Sequence, residues 1–280
     1  MTMMREQLEQ AWDEEVSGIQ GRFSLVLSSP VGPVAARDAD EPHYAASTIK
    51  LAALGALLHG LEVGEVREGS AVAVRDRFPS AVGGRFRLRQ EDDQDDETWQ
   101  YLGSLADLMW LADRMITVSG NLAAGLVMDE IGLPAVRGFL DRAGLGQSID
   151  VNRMIGDHVA EAADVTNTVT AGGLAALLTG ITDGSLLGAD ATRTALDLLS
   201  RQTHRRMIPA GLPEGTWSAS KGGWVPGLAH DVALVRPPVA PPYVLAPGGR
   251  KILLGGAVMT APTLRLSACT APRALVFHHA

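Results

Sequence analysis

Residues 45–58 read AASTIKLAALGALL, and the fold of the chain turns on how this stretch is taken. From Leu51 to Leu58 there is no polar side chain, which is the pattern of a helix enclosed by protein on every side. At its head stands Lys50, three residues after Ser47. Residues three apart share a face of a helix, so the Ser47 hydroxyl and the Lys50 amine come within reach of each other. A lysine there is partly desolvated. Burial disfavours the ammonium form, so the amine can lose its proton near neutral pH and act as a base, which arginine cannot do. The chain has 24 cationic side chains, and all but Lys50, Lys221 and Lys251 are arginine, so each lysine asks for its own reason. The competing reading of Lys50 is a side chain that packs its stem on the core and reaches water with its amine.

At 280 residues the chain has room for one large domain or two coupled lobes. Acidic residues outnumber basic ones by 32 to 24, a net charge of −8 that argues against nucleic acid and against anionic membranes as partners. Part of the acid is local: EDDQDDE, residues 91–97, reads as a solvated loop. Cys269 is the single cysteine, which leaves no disulfide framework and no cysteine-rich metal site. The seven histidines show no metal-ligand spacing, and His278 and His279 sit at the terminus. Neither a metal nor a cofactor is expected. The polar, amphipathic N-terminus resembles neither a secretory signal nor a membrane anchor, and no stretch reaches the roughly 20 apolar residues of a membrane span. A cytoplasmic location follows as an expectation; the oligomeric state stays open.

Around the opening stretch the elements fall into order. A helix is predicted over about residues 3–17. RFSLVLSS, with Phe23, Leu25 and Leu27 alternating against polar partners, and GPVAAR then form a hairpin. Residues 47 to about 201 read as mostly helical. Leu105, Leu108, Met109, Ala112 and Met115 keep helical spacing, with Ser104 and Asp107 resembling a capping box. Gly132 is a C-cap and Pro134 the start of another helix. Residues 145–167 lack periodicity and read as a long, functional loop. Helices return at about 170–180 and 190–201. Beyond Gly215 the pattern is strand-like in TWSASKGG, HDVALVRP and KILLGGAVMT, punctuated by Gly and Pro. The fold class is therefore α/β in the α+β sense: an antiparallel sheet from both chain ends (1–46 and 202–280) packed with helices, plus an all-helical lobe (47–201), with a cleft between them.

Two short motifs complete a constellation. TVSGN sets Ser119 and Asn121 on a turn between two helices, where both side chains can face a cleft. SKGGWVPG sets Lys221 on a strand followed by Gly222 and Gly223, which allow a ligand close to the backbone. Together, Ser47-Thr48-Ile49-Lys50, Ser119-Gly120-Asn121 and Lys221-Gly222-Gly223 resemble the S-x-x-K, S-D-N and K-T-G set of class A serine β-lactamases and penicillin-binding proteins, in that order. The flanking YAASTIKLAAL, MITVSGNLAAGLVMDEIG and HDVALVRPP are similar to the family's wording, and the resemblance covers roughly residues 20–260. It implies a β-lactamase/DD-peptidase-like fold and an acyl-enzyme mechanism on a small-molecule acyl substrate. Ser47 would be the nucleophile and Lys50 its base or part of the relay. Ser119 would pass a proton to the leaving group and Asn121 would hydrogen-bond the substrate's amide. Lys221 would anchor a carboxylate and keep the field positive. The oxyanion would rest on the backbone N–H groups of Ser47 and Trp224, with Gly222 and Gly223 lining the substrate's path.

Three departures qualify that picture. Gly120 replaces the aspartate of S-D-N, removing a supporting hydrogen bond, and Gly222 replaces the threonine of K-T-G, removing a contact to a β-lactam carboxylate. In the long loop, Arg153-Met154-Ile155 stands where class A enzymes carry an arginine, an aromatic residue and the glutamate that activates the deacylating water. Asp157, His158 or Glu161 would have to substitute, or nothing does. The sequence thus leaves open a serine hydrolase of esters or amides, a β-lactamase with a displaced base, an acyltransferase in small-molecule biosynthesis, and a penicillin-binding sensor that is acylated once.

Overall fold

The computed structural model describes residues 2–251, 265–267 and 276–278. Cys269, His279 and most of the strand expected at 251–260 lie outside the described residues. The architecture is α+β, with an antiparallel sheet built from both ends of the sequence. Its strand order is Trp217–Ser220, Ala233–Arg236, Tyr243–Lys251, Gly21–Ser29, Gly32–Arg37, and Gly223–Val225 joins through Leu228–His230, which also pairs with Tyr243–Lys251.

The N-terminal hairpin forms as its alternation predicts, but both of its faces are covered. Leu25 and Leu27 pack with Leu8 and Trp12 of the helix Thr2–Val16, together with Val235 and Leu245. Val26 and Ala246 point the other way, into the main core, against the helix Ala171–Asp183. Ser24 shares that buried face and satisfies its hydroxyl on His43 Nε2 at 2.8 Å, as a buried polar group must. The helix Ala171–Asp183 therefore belongs to the sheet's packing as much as to the helical half of the chain.

The helix Lys50–Glu62 behaves as its sequence demands: ten of its thirteen residues are buried. It is surrounded by Leu108–Thr117, Asn121–Ile131, Leu133–Arg142, Ala171–Asp183 and Ala189–Ser200. Gly55 permits the closest of these approaches, since a Cβ there would lie 2.4 Å from the Phe139 ring. Gly132, with φ of 79°, ends one helix, and Pro134 stands in the first turn of the next.

The sequence reading fails between residues 70 and 107, where helix was expected. Ala71–Ala73 pairs with Leu105–Asp107, and Arg77–Pro79 pairs with Arg85–Arg87 around the Gly83-Gly84 turn. Phe78 and Phe86 face each other across the second pair, and only they among its six residues are buried, a period of two. Leu105 is thus a strand residue. The helix begins at Leu108 with Asp107 as its cap, accepting the Trp110 N–H at 2.9 Å, and Ser104 takes no part. Residues 145–167 do form a largely irregular loop. Asn167 staples it shut, accepting from the N–H groups of Asn152 and Arg153 and donating to the Arg153 carbonyl.

Candidate active site

Ser47 lies on a single turn of 3-10 helix, Ala46–Ile49, that runs directly into the buried helix starting at Lys50. Ala46 enters the turn with φ of 46°, a left-handed conformation that costs an alanine energy and is held by its surroundings. Those surroundings include Gly223. A Cβ at that position would lie 2.7 Å from Ser47 N and 2.8 Å from Thr48 N, so the edge of the strand Gly223–Val225 rests on the amides of the turn.

Lys50 is fully buried, and its amine is occupied. Nζ donates to the Ser119 carbonyl at 2.6 Å, to Asn121 Oδ1 at 2.8 Å and to Ser119 Oγ at 3.4 Å. An ammonium has three donors, and these use all of them. Ser47 and Lys50, which the S-x-x-K spacing brings within reach of each other, make no hydrogen bond to one another, and Ser47 Oγ has no hydrogen bond among the described residues. Burial holds Lys50 well below the ordinary lysine range, the charge of Lys221 adds to this, and Asp93 and Asp95 oppose it.

Lys221 approaches the same centre from the sheet, also fully buried, and donates to Ser119 Oγ at 3.0 Å and to the Gly222 carbonyl at 2.7 Å. Burial lowers it to about 7, with Asp231 pulling upward. Asp231 is itself raised to about 7 by burial; its Oδ2 accepts the Ile208 N–H at 3.0 Å. Ser119, Asn121 and Lys221 are thus gathered around Lys50, and Gly223 lies against the Ser47 turn. Gly222 leaves room for Met207, whose Cε would be 2.8 Å from an added Cβ. The Trp224 ring packs on His204 at 5.0 Å between centroids. His204 carried no sequence signal. Its Nε2 lies 3.0 Å from the carbonyl of Val118, next to Ser119, and burial lowers its pKa.

Residues 91–97 are mostly exposed, as their charge suggested, but Asp93 and Asp95 turn inward. Asp93 accepts the N–H groups of Asn121 and Leu122 at 2.6 and 2.8 Å, and the Asp92 carbonyl accepts from Asn121 Nδ2 at 3.0 Å. Asp95 is buried and ion-paired with Arg114. An acidic run looks soluble in sequence; here it meets the open N–H groups of a helix start, where carboxylates are stabilised.

The loop candidates for a deacylating base are engaged elsewhere. Asp157 is fully buried rather than on the surface, and its two oxygens accept the N–H groups of Ala81 and Ala160 at 2.9 and 3.0 Å. Glu161 is exposed and pairs with Arg153 at 3.3 Å. The His158 ring stands perpendicular to the Phe86 ring, with 6.3 Å between centroids.

The fold is shared with solved structures. A PBP-A mutant in an acyl-enzyme complex with penicillin G aligns with a TM-score of 0.73 at 22% identity, covering 89% of this chain and 88% of its own. A beta lactamase from Xanthomonas campestris pv. campestris gives 0.75 at 20% identity, covering 89% and 91%. A class A beta-lactamase from Mycobacterium abscessus gives 0.69 at 22% identity, covering 88% and 89%. No curated protein sequence gives a match. The model of the Beta-lactamase enzyme family matches residues 7–247, and with that span this chain belongs to the beta-lactamase enzyme family, as a serine hydrolase of its fold.

Proposed function

We propose that Ser47 attacks an ester or amide carbonyl, β-lactams included, and carries the acyl group as an ester. The observation that carries this reading is Lys50: a desolvated amine at the base of the Ser47 turn, hydrogen-bonded to Ser119 and Asn121. Its lowered pKa suits a group that must accept a proton near neutrality. Ser119 Oγ, in reach of both lysines, passes that proton to the leaving group. Asn121 and Lys221 hold the substrate's amide and carboxylate, and the N–H groups of Ser47 and Trp224 receive the oxyanion. The PBP-A acyl-enzyme with penicillin G supports the same chemistry by analogy of fold.

Intact-mass measurement after incubation with benzylpenicillin or a fluorophosphonate tests the assignment. One adduct per chain is expected, absent in Ser47→Ala; an adduct that persists in that variant refutes it.

The engaged carboxylates of the long loop favour slow hydrolysis of a bulky acyl-enzyme, and hence a second reading, transfer of the acyl group to an amine or alcohol. Faster turnover of p-nitrophenyl acetate on adding candidate acceptors would support transfer; turnover independent of them supports hydrolysis.

A further inference from the structure

Ser119 holds φ of 60°, and with it the carbonyl and hydroxyl that receive Lys50. Serine has no preference for that conformation, so something outside the residue imposes it. Neighbouring Gly120 looks like the flexible element of the turn, yet its backbone, at φ −56° and ψ 130°, is open to any residue. What excludes a side chain at 120 is space: an added Cβ would lie 2.9 Å from Asp95 Cβ and 3.0 Å from Asp95 Oδ2. Asp95 is 2% exposed. Its carboxylate accepts from Thr98 Oγ1 at 2.5 Å and from Arg114 Nε at 3.1 Å, with a second bond from Arg114 Nη2. Arg114 closes the ring, because its carbonyl accepts the Gly120 N–H at 3.1 Å. Two residues earlier, Asp93 takes the N–H groups of Asn121 and Leu122.

We infer that Asp93 and Asp95 are positioning residues of the active site: a loop remote in sequence supplies from outside the turn the carboxylate that position 120 lacks. The inference rests on the functional reading of Ser47 and Lys50 given above. Asp95 fills the volume beside Gly120 and, through Arg114, fixes the turn's backbone. Asp93 fixes the start of the helix that presents Asn121. The charges of both carboxylates also reach Lys50 and favour its ammonium form, whereas Lys221 disfavours it. Burial alone would raise the pKa of Asp95, but the hydrogen bonds from Arg114 and Thr98 hold it below the ordinary range, so it acts as an anion.

A carboxylate swap tests this. In Asp95→Gly the loop keeps a residue tolerated at a helix cap while the space beside Gly120 opens. Ser47 acylation by a fluorophosphonate is followed from pH 5 to 10 by intact mass, alongside thermal unfolding. Asp95→Gly is expected to slow acylation about 10- to 100-fold through misplacement of Ser119 and Asn121, and to move the acid limb to lower pH. Gly120→Asp alone is expected to lower the melting temperature and the rate, since its Cβ meets Asp95. The double variant Asp95→Gly/Gly120→Asp is expected to regain at least tenfold over Asp95→Gly. Asp95→Asn keeps the shape and is expected to shift only the acid limb. A double variant no faster than Asp95→Gly, or an unmoved limb in a well-folded Asp95→Asn, overturns the inference. If wild type forms no Ser47 adduct the functional reading fails, while non-additive melting temperatures across the 95/120 cycle still report the contact.

Discussion

Lys221 Nζ donates to Ser119 Oγ across 3.0 Å, although 102 residues separate the two. Lys50 reaches the same oxygen at 3.4 Å. Two ammonium groups on one hydroxyl repel, and burial disfavours each, so the charge of Lys221 adds to burial in lowering the proton affinity of Lys50.

Replacing Lys221 by methionine removes a charge that lowers the Lys50 pKa. The acid limb of Ser47 acylation therefore moves to higher pH in Lys221→Met, opposite to the shift expected on losing a carboxylate. Fluorophosphonate labelling against pH reads the direction.

Lys50→Arg keeps the charge and loses the base. Its guanidinium does not deprotonate and is too large for a fully buried site with three fixed acceptors. A rate loss of about 10²- to 10⁴-fold, close to that of Lys50→Ala, is expected in p-nitrophenyl acetate hydrolysis. An arginine variant with most of the activity would reduce Lys50 to a packed cation.

Gly223→Ala sets a methyl group against the Ser47 and Thr48 amides at 2.7 and 2.8 Å. Strain of about 1–3 kcal/mol is expected, and a displaced nucleophile that costs on the order of 10²-fold in acylation rate. Wild-type labelling by this variant would mean that the strand edge yields.

Asp157→Asn leaves deacylation unchanged and lowers stability, because the carboxylate caps the turn His158–Glu161 and accepts the Ala81 N–H. A loss of about 1–2 kcal/mol is expected by urea denaturation. Glu161→Gln, on an exposed ion pair, changes stability by less than about 1 kcal/mol. Collapse of penicillin turnover in either variant would install that residue as the base.

Burial depresses His230 to about 4, and its ring links Gly249 N–H to the carbonyl of Tyr44, three residues before Ser47. The native state binds fewer protons there than the unfolded chain, so this stabilisation is complete above about pH 6.5 and is lost as pH falls through about 4. Asp231, raised to about 7, works in the opposite direction between about pH 4 and 7. The difference in urea midpoint between wild type and His230→Gln isolates the histidine and should shrink as pH drops from 7 to 4.5.

The three motifs were legible because chemistry restricts them: few residues can replace a desolvated lysine beside a serine. The strand Tyr243–Lys251 was not, since Pro247-Gly248-Gly249 reads as a turn. Its glycines instead make room for rings: a Cβ on Gly248 would lie 2.8 Å from His230 Nδ1, and one on Gly249 2.5 Å from Phe23 Cδ1. Asp93 and Asp95 were hidden for a different reason. A carboxylate that serves a helix start 28 residues away has no local pattern distinguishing it from one that serves solvent.

The sheet places Gly21 opposite Lys251. During synthesis the first strand therefore waits for its central neighbour while about 230 further residues emerge, on the order of 10 to 50 s at ordinary elongation rates. Through that interval the hairpin shows one bare edge, and Lys221 has yet to meet Ser119. The strand that rests on the nucleophile turn, Gly223–Val225, is tied to the sheet through Leu228–His230 and hence to Tyr243–Lys251. A chain that ends before residue 243 holds every motif residue but lacks the strand that joins Gly21–Ser29 to the part of the sheet from which Lys221 reaches Ser119.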